Sequence, residues 1–230
     1  MSITLYDLVG IDDRRFSPAC WRIRMALAHK GLDFTTEPTP FTKIPSIADG
    51  YQKTVPVIDD GGTVVGDSWD IAEYLEKTYP DRPSLFGDDT SRALTLFAQN
   101  WTLSIVHRGL APLILIDIYN HLLAEDHAYF RASRVKMFGR SLEEVQAGRD
   151  DQLEAFQNSL FPLRLTVRSQ PFMGGDSPTY ADYIIFGAFQ WARVSSDFKL
   201  FADDDPVKAW FNRCLDLYDG LGRNELGYDQ

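Results

Sequence analysis

Early in the chain the hydrophobic positions alternate in short runs, and later they recur at helical spacing. Ile3-Thr4-Leu5-Tyr6-Asp7-Leu8 alternates, which predicts a strand. A polar loop with Gly10, Asp12, Asp13, Arg14 and Arg15 follows, and the spacing turns helical from Ser17-Pro18 through Ile23, Ala26 and Leu27 to Lys30. Ser is a strong N-cap, Pro suits the first helical position, and Gly31 supplies the stop. Asp33 to Glu37 reads as a second strand ended by Pro38 and Pro40, giving a β-α-β unit with parallel strands. Phe41 to Lys53 holds Pro45 and Gly50 and has no regular period. Val55-Pro56-Val57-Ile58 and Thr63-Val64-Val65-Gly66 flank Asp59-Asp60-Gly61-Gly62, the pattern of an antiparallel hairpin. Pro56 either demotes its run to a sheet edge or precedes a strand that begins just after a cis bond. Asp67-Ser68 then caps a helix with Ile71, Leu75 and Tyr79 on one face.

From Tyr79 to Gly87 the turn residues of a linker take over, and beyond Asp88 no strand pattern returns. Leu94, Phe97, Trp101, Ile105 and Val106 keep helical spacing within Ser91–Ala124, with a bend expected at Pro112. Further helices are predicted over Asp126–Phe138, Asp150–Arg168, Thr179–Arg193 and Pro206–Leu217. Thr179 with Asp182 makes a capping-box start. The expected fold is an α/β thioredoxin-like N-terminal domain, β-α-β-β-β-α, over residues 1–80. A linker at 81–90 leads to an all-α C-terminal domain over 91–230.

Composition narrows the partners. The chain has 230 residues, 44% of them hydrophobic, enough to bury a large core. Its net charge of -10 argues against nucleic acid and anionic membrane as partners. The longest apolar run, Leu110 to Ile116, is too short to span a bilayer, and no secretory leader pattern opens the chain. Cys20 and Cys214 are the only cysteines and lie far apart, which points to a reducing, cytoplasmic setting without a structural disulfide. The four histidines lack the spacing of metal ligands, so no metal is expected.

The candidate chemistry sits at Ser17-Pro18-Ala19-Cys20. This is a C-x-x-C window whose attacking cysteine is replaced by serine, at the positive end of a helix. Cys20 has no partner for dithiol exchange, so a nucleophilic thiol must come from outside and Ser17 would donate a hydrogen bond to it. An unperturbed thiol titrates near about 8.5, and lowering it by about two units needs roughly 2.7 kcal/mol. One hydrogen bond to a charged acceptor supplies roughly 1.5–3 kcal/mol, and the helix terminus up to ~1. A hydrolytic Ser17 has no support: there is no G-x-S-x-G elbow and no evident pairing with His29, His107, His121 or His127. The simplest role for Ser17 alone remains that of a helix cap.

Over essentially its full length the sequence resembles the glutathione S-transferase superfamily, most of all the bacterial β-etherase branch and related fungal glutathione transferases. The resemblance rests on the Thr4–Leu8 strand, Ser17-Pro18-x-x-Trp21-Arg22, Leu27-x-x-Lys30-Gly31, Val55-Pro56-Val57-Ile58, Asp67-Ser68-Trp69-x-Ile71-Ala72-Glu73-Tyr74-Leu75 and Tyr79-Pro80-Asp81-Arg82-Pro83. It implies glutathione as co-substrate, with Ser17 as the thiol partner. The peptide group of Val55 before a cis Pro56 would pair with the cysteinyl part. Asp67 would take the γ-glutamyl ammonium and Ser68 the carboxylate, with Lys43, Gln52 or Lys53 at the glycyl carboxylate. Tyr6 and Cys20 are the weaker catalytic candidates. A hydrophobic, aromatic electrophile would lie against Trp101, Ser104, Ile105, Arg108, Ile114 and Tyr119. Conjugation and aryl-ether cleavage both fit, and a homodimer is implied. Two other functions stay open: a non-catalytic carrier of glutathione and aromatics, and a glutathione-dependent disulfide reductase.

Overall fold

The computed structural model describes residues 2–50 and 52–230, the side chain of Asp49 aside. Strand β1 (Ile3–Leu8) is followed by helix α1 (Pro18–His29) and strand β2 (Phe34–Thr39). A 3-10 segment at Phe41–Gly50 leads to β3 (Val57–Asp60), β4 (Thr63–Gly66) and α2 (Ser68–Thr78). The sheet order is β2-β1-β3-β4. β1 runs parallel to β2, with Leu5 opposite Thr36, and antiparallel to β3, with Leu5 opposite Ile58.

One detail differs from expectation and another decides between two alternatives, both for reasons of local chemistry. β2 continues through Pro38, which pairs with Asp7, because β2 is an edge strand and a missing N–H is tolerated there. The Val55–Pro56 bond is cis and β3 begins at Val57, which lets β3 lie inside the sheet beside its proline.

The rest of the chain is helical: α3 (Asp89–Trp101), a π turn (Thr102–His107), α4 (Arg108–Asn120), α5 (His127–Phe138), α6 (Leu142–Gln146), α7 (Arg149–Ser159), α8 (Phe161–Ser169), α9 (Tyr180–Ser195) and α10 (Pro206–Gly220). The irregularity in the long rod is the π turn rather than a bend at Pro112, which lies within α4. The stretch expected as one helix from Asp150 is two, because Leu160 leaves helical geometry and Pro162 opens a new helix. α6 was unanticipated; it is five residues long and stands on a capping box between Ser141 and Glu144.

Helix α9 is the axle of the molecule. Every residue from Tyr180 to Gln190 is buried, so the helix is enclosed on all sides, and it packs against α1, α3, α4 and α10. Its start is held by Asp182, whose carboxylate accepts from the amides of Met173 and Thr179 and from Trp210 Nε1 at 2.8–3.0 Å. Taken as one rod, Asp89–Asn120 has the length and composition of a membrane span; the core-facing Leu110, Leu113, Ile114, Leu115 and Ile118 are buried inside the molecule.

Candidate active site

α1 and α2 begin on the same side of the sheet, and each start is a cap. Ser17 Oγ accepts from the Cys20 amide at 3.2 Å, which occupies one lone pair and polarises the hydroxyl. Among the described residues the only acceptor near the Ser17 O–H is the Cys20 thiol, a weak one, so its hydrogen is available to a stronger acceptor. Ser17 is buried, at 5% exposure, and with Pro18, Lys53, Thr54 and Val55 it lines a cavity of about 320 Å³. Leu8, Phe16, Phe41, Ile44, Ile118, Tyr129, Phe130 and Trp191 give that cavity apolar and largely aromatic walls, with Arg134 and His107 as polar groups.

The start of α2 is built differently. Asp67 caps through its carboxylate, which accepts from the amides of Trp69 at 2.7 Å and Asp70 at 3.4 Å. Its backbone has φ 69° and ψ 134°, a region where a side chain is costly. Ser68 is buried; its Oγ lies 3.4 Å from Arg22 Nη1, and its carbonyl accepts from Tyr180 OH at 2.5 Å. Gln52 folds over Gly66 just before this cap, and a β-carbon at Gly66 would collide with its carboxamide. The α1 start is seated equally closely on α9, where a β-carbon on Gly187 would collide with the Pro18 carbonyl.

Arg22 joins the two starts. It is buried on α1, one turn beyond Ser17, and burial lowers its pKa. Besides Ser68 it reaches His107 Nε2 at 3.4 Å. Burial, with the Arg22 charge second, pushes His107 down to about 3. Asp126, fully buried, accepts from the Phe41 and Thr42 amides at 2.9 and 2.8 Å, which fixes the aromatic wall to the helical part of the chain.

Beneath α1 lies a second charged group. Asp7 is buried 3.7 Å from Arg15 and 3.6 Å from Arg24, and burial raises its carboxyl to about 6 against those two cations. Cys20 is buried beside it, its thiol 3.9 Å from the Tyr6 carbonyl; burial and then Asp7 push that thiol well above the ordinary range. A thiol so held is protonated and inert.

The structure gathers some of the sequence candidates and separates others. Ser17, Val55 and Lys53 share the cavity, with cis Pro56 next to it and Gln52, Asp67 and Ser68 at the neighbouring helix start. Lys43 is exposed on the 3-10 segment outside the cavity lining, and Tyr6 is half-buried on β1, packed against the core and also outside that lining. Trp101 lines a different groove of about 660 Å³ between α3 and α8, with Leu94, Phe97, Pro162 and Leu163. Ser104, Ile105 and Arg108 are exposed, Ser104 donating to the Asn100 carbonyl. Ile114 is buried in the core, and Tyr119 stacks on His127 with Arg131 over its ring. Residues 102–107 form a π turn, one residue wider than the α-helical repeat, and from this rod His107 and Ile118 face the cavity instead. His107, Trp191 and Arg134, with the apolar Phe41, Ile118, Tyr129 and Phe130, are among the lining residues that sequence reading missed. Among the described residues no group of three or more His, Cys, Asp or Glu could hold a metal ion.

Family models described as glutathione S-transferase C-terminal and N-terminal domains match residues 93–217 and 16–78. Glutathione S-transferase Z1 of Arabidopsis thaliana is 35% identical over 108 residues, 44% of this chain and 49% of that protein. The chain thus spans about half the length of such plant relatives. The glutathione S-transferase-like protein ustS of Aspergillus flavus is 27% identical over 202 residues, 74% of this chain and 72% of that one. Among solved structures, a glutathione S-transferase of Ceriporiopsis subvermispora in complex with glutathione matches with a TM-score of 0.80 at 28% identity, covering 95% of this chain and 97% of that one.

Proposed function

The chain belongs to the glutathione S-transferase family, and from that premise we propose that it binds glutathione across the starts of α1 and α2 and transfers the tripeptide's sulfur to a hydrophobic, aromatic electrophile. The observation that carries the reading is the Ser17 hydroxyl. It accepts from Cys20 and keeps its own hydrogen for a group in the cavity that Val55 also lines. A hydrogen bond from it to the incoming sulfur is worth roughly 1.5–3 kcal/mol, enough to lower a thiol by about one to two units.

The other contacts follow from charge. Asp67 is exposed beside helix amides, a pairing suited to the ammonium and carboxylate of the γ-glutamyl end. To the glycyl carboxylate we assign Lys53, which lines the cavity, and Gln52, with Lys43 outside that lining. Phe41, Tyr129, Phe130 and Trp191 supply flat apolar surface for an aromatic co-substrate. Aryl-ether cleavage is the finer form of the proposal, in which the sulfur attacks a benzylic carbon and a phenoxide leaves. A reductase working through Cys20 is disfavoured by the burial of that thiol.

Two further parts belong to the same proposal. The exposed Leu94 and Phe97, at 65% and 71%, border the groove between α3 and α8, a surface suited to a second copy in a homodimer. Both cysteines are free and buried, in keeping with a cytoplasmic setting. The test is to titrate the bound glutathione thiol by its ultraviolet absorbance in the wild type and in Ser17→Ala. The expected result is a pKa higher by about one to two units in the variant, with turnover falling in step. An unchanged thiol pKa removes Ser17 from the mechanism, and tight binding without any turnover supports a carrier.

A further inference from the structure

The polar wall of the cavity opposite Ser17 has a defined chemical state. An arginine side chain has only N–H donors, so its contact with His107 fixes the direction of the bond: Arg22 Nη2 donates and His107 Nε2 accepts. The neutral ring must then carry its hydrogen on Nδ1. Among the described residues Nδ1 has no hydrogen-bond partner and is not sealed from the surface, so solvent or a ligand can reach it. His107 lines the cavity with Ser17 and Trp191, its ring 5.7 Å from that of Trp191. It closes the π turn, the one wide turn in an otherwise regular rod, and such turns recur at functional sites.

We propose that His107 is a hydrogen-bond donor to the co-substrate, its Nδ1–H binding an oxygen that gains negative charge as sulfur attacks. This rests on the transferase reading and narrows it to electrophiles with such an oxygen, conjugated carbonyls or aryl ethers. In a conjugated carbonyl the thiolate forms the C–S bond and the displaced π pair moves to the carbonyl oxygen. In a benzylic aryl ether the C–O bond breaks and its pair leaves on the phenoxide oxygen. His107 keeps its proton in both, and solvent protonates the product. A donor already aligned by a buried guanidinium needs no reorganisation at the moment charge develops. The proximity of Arg22 and the burial of the ring keep it neutral, so it meets the oxygen as a dipole and never as a competing cation.

The experiment compares a conjugated enone, a benzylic aryl ether and benzyl chloride as co-substrates for wild type, His107→Phe and His107→Asn. His107→Phe keeps a ring against Trp191 and loses the donor. The expected kcat falls at least about tenfold further on the two oxygen substrates than on benzyl chloride, where charge leaves on the halide. His107→Asn, which retains an N–H, recovers part of the loss. Equal losses on all three substrates, or none on the oxygen substrates, overturn the proposal. Nitrogen NMR of the wild-type ring at neutral pH should show Nδ1 protonated and Nε2 bare; the reverse tautomer overturns it without reference to activity. A wild type that turns over none of the three with glutathione fails at the transferase reading itself, a different result from a wild type active on all three and indifferent to His107.

Discussion

The two helix starts that open onto the site solve the same local problem with opposite chemistry. Ser17 caps α1 from a relaxed backbone, φ -65°, with a neutral hydroxyl that is buried. Asp67 caps α2 from a strained one, φ 69°, with a carboxylate exposed to solvent. Each satisfies amides that would otherwise be unpaired. What differs is the remainder: Ser17 has a hydrogen still to give, and Asp67 has negative charge still to share. A spare donor suits a ligand atom that becomes an anion, and a spare charge suits a ligand cation. Function at a helix cap is read from what the cap has left after capping.

The largest effect should come from disturbing only one of the two. Gly187→Ala drives a β-carbon into the Pro18 carbonyl and so displaces the start of α1 and leaves α2 alone. Overpacking of this kind costs ~1–3 kcal/mol of stability, and a displacement near 1 Å can cost about 100-fold in rate. The expected outcome is a kcat lower by about 100-fold with little change in the KM for glutathione. Steady-state kinetics checks it, and a matching rise in KM would show that the two starts move as one.

A second, somewhat smaller effect tests the charge hidden under α1. Asp7 titrates at about 6 in the folded chain against 3.8 for an ordinary aspartate, so between those values the folded chain holds a proton that the unfolded chain has released. The stability it contributes is complete below about 4 and is lost as the pH rises through about 6. The loss is roughly 2–3 kcal/mol. Asp7→Asn cannot ionise, so its unfolding midpoint should lack that fall. Parallel curves for the two proteins from about pH 4 to 7 would mean that Arg15 and Arg24 already neutralise the carboxylate.

Both caps were legible in the sequence because capping is chemistry between neighbours. Ser17-Pro18 and Asp67-Ser68 carry it within three residues. The sheet was legible for the same reason, strand by strand, except where a tertiary fact intervened: Pro38 is accepted in β2 only because β2 is an edge. His107 was not legible, since its partner Arg22 stands 85 positions away and is itself a cation. Nor was the π turn, because nothing in Thr102–His107 marks a wider repeat. The wider turn shifts the register of Ser104, Ile105 and Arg108, while Trp101, which precedes it, lines the other groove from α3. Sequence periodicity tells which residues share a face, and not which neighbour that face meets.

The smallest effect goes to the heart of the contrast between the caps. Asp67→Gly removes a side chain from φ 69°, ψ 134°, where strain is of order 1–3 kcal/mol, and glycine caps a helix only a few tenths of a kcal/mol less well than aspartate. The variant should therefore be more stable than the wild type by about 1 kcal/mol, a shift readable in thermal unfolding. At the same time the KM for glutathione should rise about tenfold, the equivalent of ~1.4 kcal/mol, because the ammonium has lost its anion. Stability and binding moving in opposite directions is the signature of strain kept for a ligand. If the glycine variant is instead less stable with its KM unchanged, Asp67 is a cap like Ser17 without the remainder, and the difference between the two helix starts disappears.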